Sequence, residues 1–176
     1  MSHRILIVGN SGSGKSTLAT RIAGDLACPH LDLDSIVWEP GLVAVQRPFE
    51  VTCGLLASFA EGERVWVVEG CYGELIERAL PFCTELLFLN PGLETCLRNN
   101  QARPWEPHKY ESPEAQDAML ANLQQWVAGY YERADAWSYV AHRKLFENFN
   151  GLKREFQASA ANGAFMRTTG RESDVS

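Results

Sequence analysis

Arg4-Ile5-Leu6-Ile7-Val8-Gly9-Asn10-Ser11-Gly12-Ser13-Gly14-Lys15-Ser16-Thr17 is the stretch whose reading decides the fold. Its first part, Arg4 to Gly9, is a short apolar run ended by glycine, the pattern of a parallel strand buried on both faces. From Lys15 onward, Leu18, Ile22 and Leu26 recur four apart and lay one apolar stripe along a helix over 15–27. Between strand and helix lies Gly9-x-x-x-x-Gly14-Lys15-Ser16, which has the P-loop spacing in the setting that motif requires. Glycines there let the backbone curl around an anion, so that consecutive N–H groups and the helix N-terminus face its oxygens. Lys15 is then expected to reach the β- and γ-phosphates of ATP, and the Ser16 hydroxyl to coordinate Mg2+. The expected nucleotide-binding set is Gly9, Asn10, Ser11, Gly12, Ser13, Gly14, Lys15, Ser16 and Thr17.

The same alternation continues down the chain. A second strand is expected at 29–33, ending in Asp32-Leu33-Asp34, and a helix over 48–60 with Pro48 in its first turn. Arg64-Val65-Trp66-Val67-Val68-Glu69-Gly70 reads as the third strand, a short helix covers 74–80 before Pro81, and Glu85 to Asn90 is the fourth strand. Strands alternating with helices predict an α/β protein with a central parallel sheet. After a helix over 92–101, the segment 102–112 has two prolines and no periodicity, and is expected to be a short non-helical lid. Ser112-Pro113-Glu114 opens the next helix with a hydroxyl cap, a proline and an acid near the positive dipole end. Met119, Leu120, Leu123, Trp126, Val127, Tyr130 and Tyr131 give it one broad apolar face. A last helix from about Ser138 is expected to bury Tyr139, His142, Leu145, Phe146 and Phe149, with Asn150-Gly151 ending it. His142 there reads as a satisfied core histidine, and the row Trp126, Tyr130, Tyr131, Trp137 and Phe146 as core. No further segment reads as a fifth strand. Past Phe156 the chain turns to small and charged residues, so 157–176 is expected to be a disordered tail on a domain spanning 1–156.

Bulk composition narrows the function classes. A net charge of -6 argues against general binding to nucleic acid or to an anionic membrane, both of which favour basic surfaces. Five scattered cysteines without a C-x-x-C pair suit reduced, buried thiols in a cytoplasmic protein. No signal-peptide pattern or membrane-length apolar run is present. A monomer or small homo-oligomer is expected.

The loop, the Asp32-Leu33-Asp34 that ends the second strand and the Glu69-Gly70 that ends the third resemble small-molecule kinases of the adenylate kinase and shikimate kinase type. More narrowly, His30-Leu31-Asp32-Leu33-Asp34, Trp38, Pro40-Gly41 and Glu69-Gly70-x-Tyr72 are similar to the adenylate kinase-related group labelled topology modulation proteins. The resemblance covers about residues 3–110. It implies a three-layer P-loop NTPase fold with strand order 2-3-1-4-5, an acceptor site beside the second strand, and an arginine-bearing lid.

On that resemblance Asp34 sits beside the attacking hydroxyl, and Asp32 is placed to hold magnesium through water. Glu69 takes the position of the strand-end acid that contacts magnesium-bound water, and Gly70 and Tyr72 enter the acceptor cleft. Arg98 and Arg103 flank the lid, where a planar guanidinium grips phosphate oxygens in two places, and His108 and Lys109 add charge. Arg47 is a candidate for an anionic acceptor, or equally a helix-end charge. The expected activity is transfer of the γ-phosphate of Mg-ATP to a small acceptor. The alternative is an ATP-binding regulatory or slow ATPase module without one. Shikimate kinases carry three glycines where this chain has Glu69-Gly70-Cys71-Tyr72-Gly73, which leaves the acceptor open.

Overall fold

A computed structural model describes residues 3–40, 45–107 and 110–157. Gly41, His108, Lys109 and the segment 158–176, where several expectations fall, lie outside them. The described elements run β1 (Arg4–Gly9), α1 (Lys15–Leu26), β2 (His30–Asp32), α2 (Asp34–Val37), α3 (Phe49–Gly62) and β3 (Trp66–Gly70). They continue with α4 (Gly73–Ala79), β4 (Glu85–Leu89), α5 (Leu93–Gln101), α6 (Pro113–Ala128), α7 (Tyr139–Asn148) and β5 (Leu152–Phe156).

The five strands form one sheet in the order β2-β3-β1-β4-β5, and every pairing is parallel. β1 lies at the centre between β3 and β4, which is why Ile5, Leu6, Ile7 and Val8 are all buried. Alternate side chains serve opposite faces. Ile5 and Ile7 pack with Leu18, Ala19 and Ile22 of α1. Leu6 and Val8 pack on the other side with Leu56 of α3 and Leu75 and Ile76 of α4, against which Leu145 and Phe146 of α7 rest. The chain thus leaves β1 toward one face and β3 toward the other. In open parallel sheets such a divergence opens a crevice at the carboxyl ends of the strands.

A fifth strand exists where sequence pattern located none. Leu152-Lys153-Arg154-Glu155-Phe156 carries three charges in five residues and is largely exposed, so no apolar run announces it. It is an edge strand, registered on β4 from Glu85↔Leu152 to Leu89↔Phe156. Polar contacts hold it there: Arg143 grips Glu155 through both terminal guanidinium nitrogens (2.7 and 3.0 Å), and Asn90 donates to the same carboxylate at 3.0 Å. The four-residue helix α2 was likewise not anticipated. α6 starts as expected, with Ser112 Oγ accepting from Ala115 N at 3.1 Å, but of its expected apolar face only Val127 and Tyr130 are fully buried, and Met119 is exposed. Among the described residues no helix is long and apolar enough to cross a membrane.

Candidate functional site

A cavity of about 440 Å³ opens at the carboxyl ends of β1, β2 and β3. Ser11, Gly12 and residues 14–17 form one part of it, Asp32, Asp34, Glu69, Gly70 and Cys71 another, and Asn99, Ala102, Arg103, Pro104 and Glu106 the rest. Among the described residues expected at the site, Gly9, Asn10, Ser13, Arg47, Tyr72 and Arg98 are not in its lining. The loop between β1 and α1 needs its glycines for two reasons. Gly12 (φ +77°) and Gly14 (φ +94°) take the left-handed backbone that side chains disfavour. In addition, a Cβ on Gly12 would stand 2.3 Å from the Cys96 carbonyl oxygen of α5.

α5 and α6 fix the loop from behind. Asn99 Nδ2 donates to the Gly12 carbonyl at 2.8 Å, and Ser11 Oγ donates to Asn100 Oδ1 at 3.2 Å. Asn10 Nδ2 donates to the Val127 carbonyl at 3.2 Å, and Asn10 Oδ1 accepts from Ser11 N at 2.9 Å. Lys15 Nζ donates to the Asn10 carbonyl at 2.8 Å across the mouth of the loop. The Ser13 hydroxyl is buried with no hydrogen-bond partner in the protein. A curled backbone and an ammonium together suit a bound phosphate chain.

The strand ends bring three carboxylates to the same cavity. Glu69 is only 2% exposed, and its Oε1 accepts from Ser16 Oγ at 2.6 Å. Burial pushes its carboxyl up to about 7, against the pull of Lys15 and with a further push from Asp32. His30 Nε2 lies 3.9 Å from Glu69, but burial lowers the imidazole below its ordinary value. At neutral pH this is therefore a contact between a neutral ring and a carboxyl, not an ion pair. Asp32 Oδ1 accepts from the backbone N–H of Asp34 at 2.9 Å, which opens α2 and sets Asp34 in its first turn. A hydroxyl with two nearby carboxylates is a hard-oxygen donor set, the kind that holds Mg2+ in company with substrate phosphates.

Asp34 in turn accepts from the Tyr72 hydroxyl at 2.5 Å, and Tyr72 accepts from Trp38 Nε1 at 3.0 Å. Burial and the neighbouring Asp34 raise the phenol far above its ordinary value, so Tyr72 keeps its proton. Gly70 is packed against Leu33, whose Cδ1 would be 2.8 Å from any Cβ added there. Cys71 has its thiol pushed up to about 12 by burial, which makes it inert at neutral pH. Its carbonyl accepts from His142 Nε2 at 2.9 Å. A carbonyl can only accept, so Nδ1 is unprotonated and takes the Tyr130 hydroxyl at 2.8 Å. His142 is the satisfied core histidine expected from sequence, fully buried and lowered to about 4 by that burial.

The arginines divide. Arg103 lines the cavity, donating to Asn100 Oδ1 at 2.8 Å and to Glu106 Oε2 at 3.3 Å. Arg98 is exposed on α5, outside the lining. Arg47 pairs with Glu39 at 3.6 Å and donates to the Ile36 carbonyl at 3.1 Å, so it braces the chain after α2 from outside the cavity. Asn99, Asn100 and Glu106 were missed by sequence reasoning. Amides on a polar helix turn carry no pattern that separates them from solvated ones.

No protein-family profile matches this chain, and no curated protein matches it. Among solved structures it is similar to a shikimate kinase from Bacteroides thetaiotaomicron, at 21% identity over 82% of this chain and 97% of that one, with a TM-score of 0.48. A gluconokinase from Sinorhizobium meliloti 1021 is similar at 16% identity over 84% and 98% of the two chains, with a TM-score of 0.43. An uncharacterized protein from Eubacterium ventriosum ATCC 27560 is similar at 15% identity over 89% of each, with a TM-score of 0.47. Likeness at this level carries no functional weight. By its own sheet order and its strand–loop–helix entry, the chain has the α/β P-loop fold.

Proposed function

We propose that this protein transfers the γ-phosphate of Mg-ATP to a hydroxyl of a small-molecule acceptor. One observation carries the reading: the Asp34 carboxylate, held by Tyr72, lines the same cavity as Lys15, Ser16 and Glu69. A carboxylate and a phosphate-binding loop sharing one space support the reading.

The loop 9–16 and Lys15 would hold the β- and γ-phosphates, with Lys15 exchanging its bond to the Asn10 carbonyl for phosphate oxygens. Ser16, Asp32 and Glu69 are the residues that would hold Mg2+, which when bound neutralises charge on the phosphates. Asp34 orients the acceptor hydroxyl and takes its proton as the new oxygen–phosphorus bond forms. The bond from the γ-phosphorus to its bridging oxygen breaks, and ADP leaves with that electron pair. Arg103, released from Glu106, would stabilise the charge in transit.

The test is ADP release with Mg-ATP, with and without pooled alcohols, using Lys15→Ala as the blank and Asp34→Asn as the probe. Pool-dependent turnover that Asp34→Asn abolishes while ATP affinity stays intact is the expected result. Full transfer by Asp34→Asn removes Asp34 from its role. A second reading, an ATP-binding regulatory or slow ATPase module, draws support from Arg47, which is committed to Glu39 and Ile36 instead of an acceptor. It predicts slow turnover that no pool changes.

A further inference from the structure

One side-chain amide braces the part of the cavity wall that carries Arg103. Gln116 lies one turn into α6 and is half-buried. Its Oε1 accepts from the backbone N–H of Glu106 at 2.8 Å, and its Nε2 donates to the Pro104 carbonyl at 3.2 Å. One amide thus meets a carbonyl and an N–H two residues apart, as a neighbouring strand would. Proline at 104 also disfavours helical backbone at Arg103, and α5 ends just before it, at Gln101. The path of residues 103–106 is therefore set from α5 at one end and from α6 at the other.

Both partners of the Arg103 guanidinium depend on that bracing. Glu106 Oε2 takes Nη1 at 3.3 Å, and Glu106 is the residue whose N–H Gln116 holds. Asn100 Oδ1 takes Nη2 at 2.8 Å from the last turn of α5. A second amide of α6, Gln124, lies two turns on along the same side and donates to the Leu97 carbonyl of α5 at 3.0 Å. An arginine on a loose segment has many rotamers to lose on meeting a phosphate, and one already held at the wall has fewer. Gln116 itself is outside the cavity lining, whereas Arg103 is in it. Resting on the kinase reading above, we infer that Gln116 is the positioning residue for Arg103: its amide holds 104–106 so that the guanidinium stands ready for the nucleotide's phosphates.

The test is a double-mutant cycle on the full chain: Gln116→Met, Arg103→Ala and both together. Methionine keeps the length and helix-forming tendency of the side chain and removes both ends of the amide. The readout is affinity for a non-hydrolysable ATP analogue with Mg2+, by calorimetric titration well below the melting temperature of each variant, so it does not wait on an acceptor. Expected is a loss of roughly tenfold or more for Arg103→Ala and of roughly three- to tenfold for Gln116→Met. In the Arg103→Ala background, Gln116→Met should change affinity by less than about twofold, because it acts only through the arginine. A contact that merely stabilised α6 would lower the melting temperature in both backgrounds without this dependence on Arg103. Losses that multiply in the double variant overturn the inference and leave the kinase reading standing. So does an affinity that Gln116→Met leaves unchanged or raises, or one that Arg103→Ala leaves unchanged. A parent chain that binds no nucleotide overturns both.

Discussion

The Tyr72 hydroxyl sits between two partners, donating to Asp34 Oδ1 at 2.5 Å and accepting from Trp38 Nε1 at 3.0 Å. It therefore fixes one oxygen of the carboxylate on which the proposed chemistry turns. Tyr72→Phe keeps the ring against Trp137 and removes this tether together with the acceptor for Trp38 Nε1. A hydrogen bond to a charged group is worth about 1.5–3 kcal/mol, so turnover with acceptor should fall roughly tenfold or more. ATP affinity, measured by titration, should hold. An unchanged turnover number would show that Asp34 needs no such tether.

Gly12→Ala tests the loop. The substitution forces a left-handed backbone on alanine and drives its Cβ into the Cys96 carbonyl. The loop or α5 has to move, and the melting temperature should fall by several degrees, at about 2–4 °C per kcal/mol for a chain of this size. Nucleotide binding should weaken at least roughly tenfold through the displaced N–H groups. Wild-type affinity in this variant would mean that the loop adopts another shape around its ligand.

Glu69 gives a pH signature. Its folded value is raised to about 7 from 4.5, so the protonated form favours the native state. Its contribution to stability is fully present below about 4.5 and is lost as pH rises through about 7. Glu69→Gln removes that loss, so without nucleotide the variant should melt higher than the parent at pH 8 and close to it at pH 5. On the proposed reading Mg-ATP would need the ionised carboxylate, so nucleotide affinity of the parent should fall as pH drops below about 7, and Glu69→Gln should lose this dependence. Thermal melts and titrations over pH 5–8 decide both halves.

His142 works in the opposite direction. Burial lowers it to about 4 from 6.5, so the stability it contributes is present above 6.5 and lost as pH falls toward 4. Melting temperature of the apoprotein should drop over that window. His142→Phe should flatten the drop, but melt lower at pH 7, because the Tyr130 hydroxyl and Cys71 carbonyl lose their partner at about 1–3 kcal/mol each. A His142→Phe variant as acid-labile as the parent would assign the drop to other groups.

Much of this architecture was legible from periodicity and spacing, because burial on two faces writes itself into β1 as an unbroken apolar run. The loop was legible because glycine, lysine and serine at fixed offsets have a mechanical reason to be there. β5 was not, since its place depends on Arg143 meeting Glu155 from another element, and three charges in five residues look like a surface turn. Arg47 was ambiguous for a related reason: only the folded chain brings it to Glu39 and the Ile36 carbonyl. The amides behind the loop were invisible, as a buried Asn100 and a solvated asparagine read alike in a helix. Tyr72 was singled out as a cleft residue, but its hold on Asp34 required the approach of two strand ends.

Asn100 Oδ1 accepts from Ser11 in the loop and from Arg103 after α5, so a single amide oxygen belongs to both. Phosphates that draw Arg103 away leave this oxygen to Ser11 alone, and tighten the loop's grip on its own support. Linkage makes the exchange reciprocal: whatever factor nucleotide applies to the position of Arg103, a displaced Arg103 applies to nucleotide affinity. On the proposed reading, displacement of Arg103 and release of product would be one equilibrium read from two ends, with Asn100 as the fulcrum.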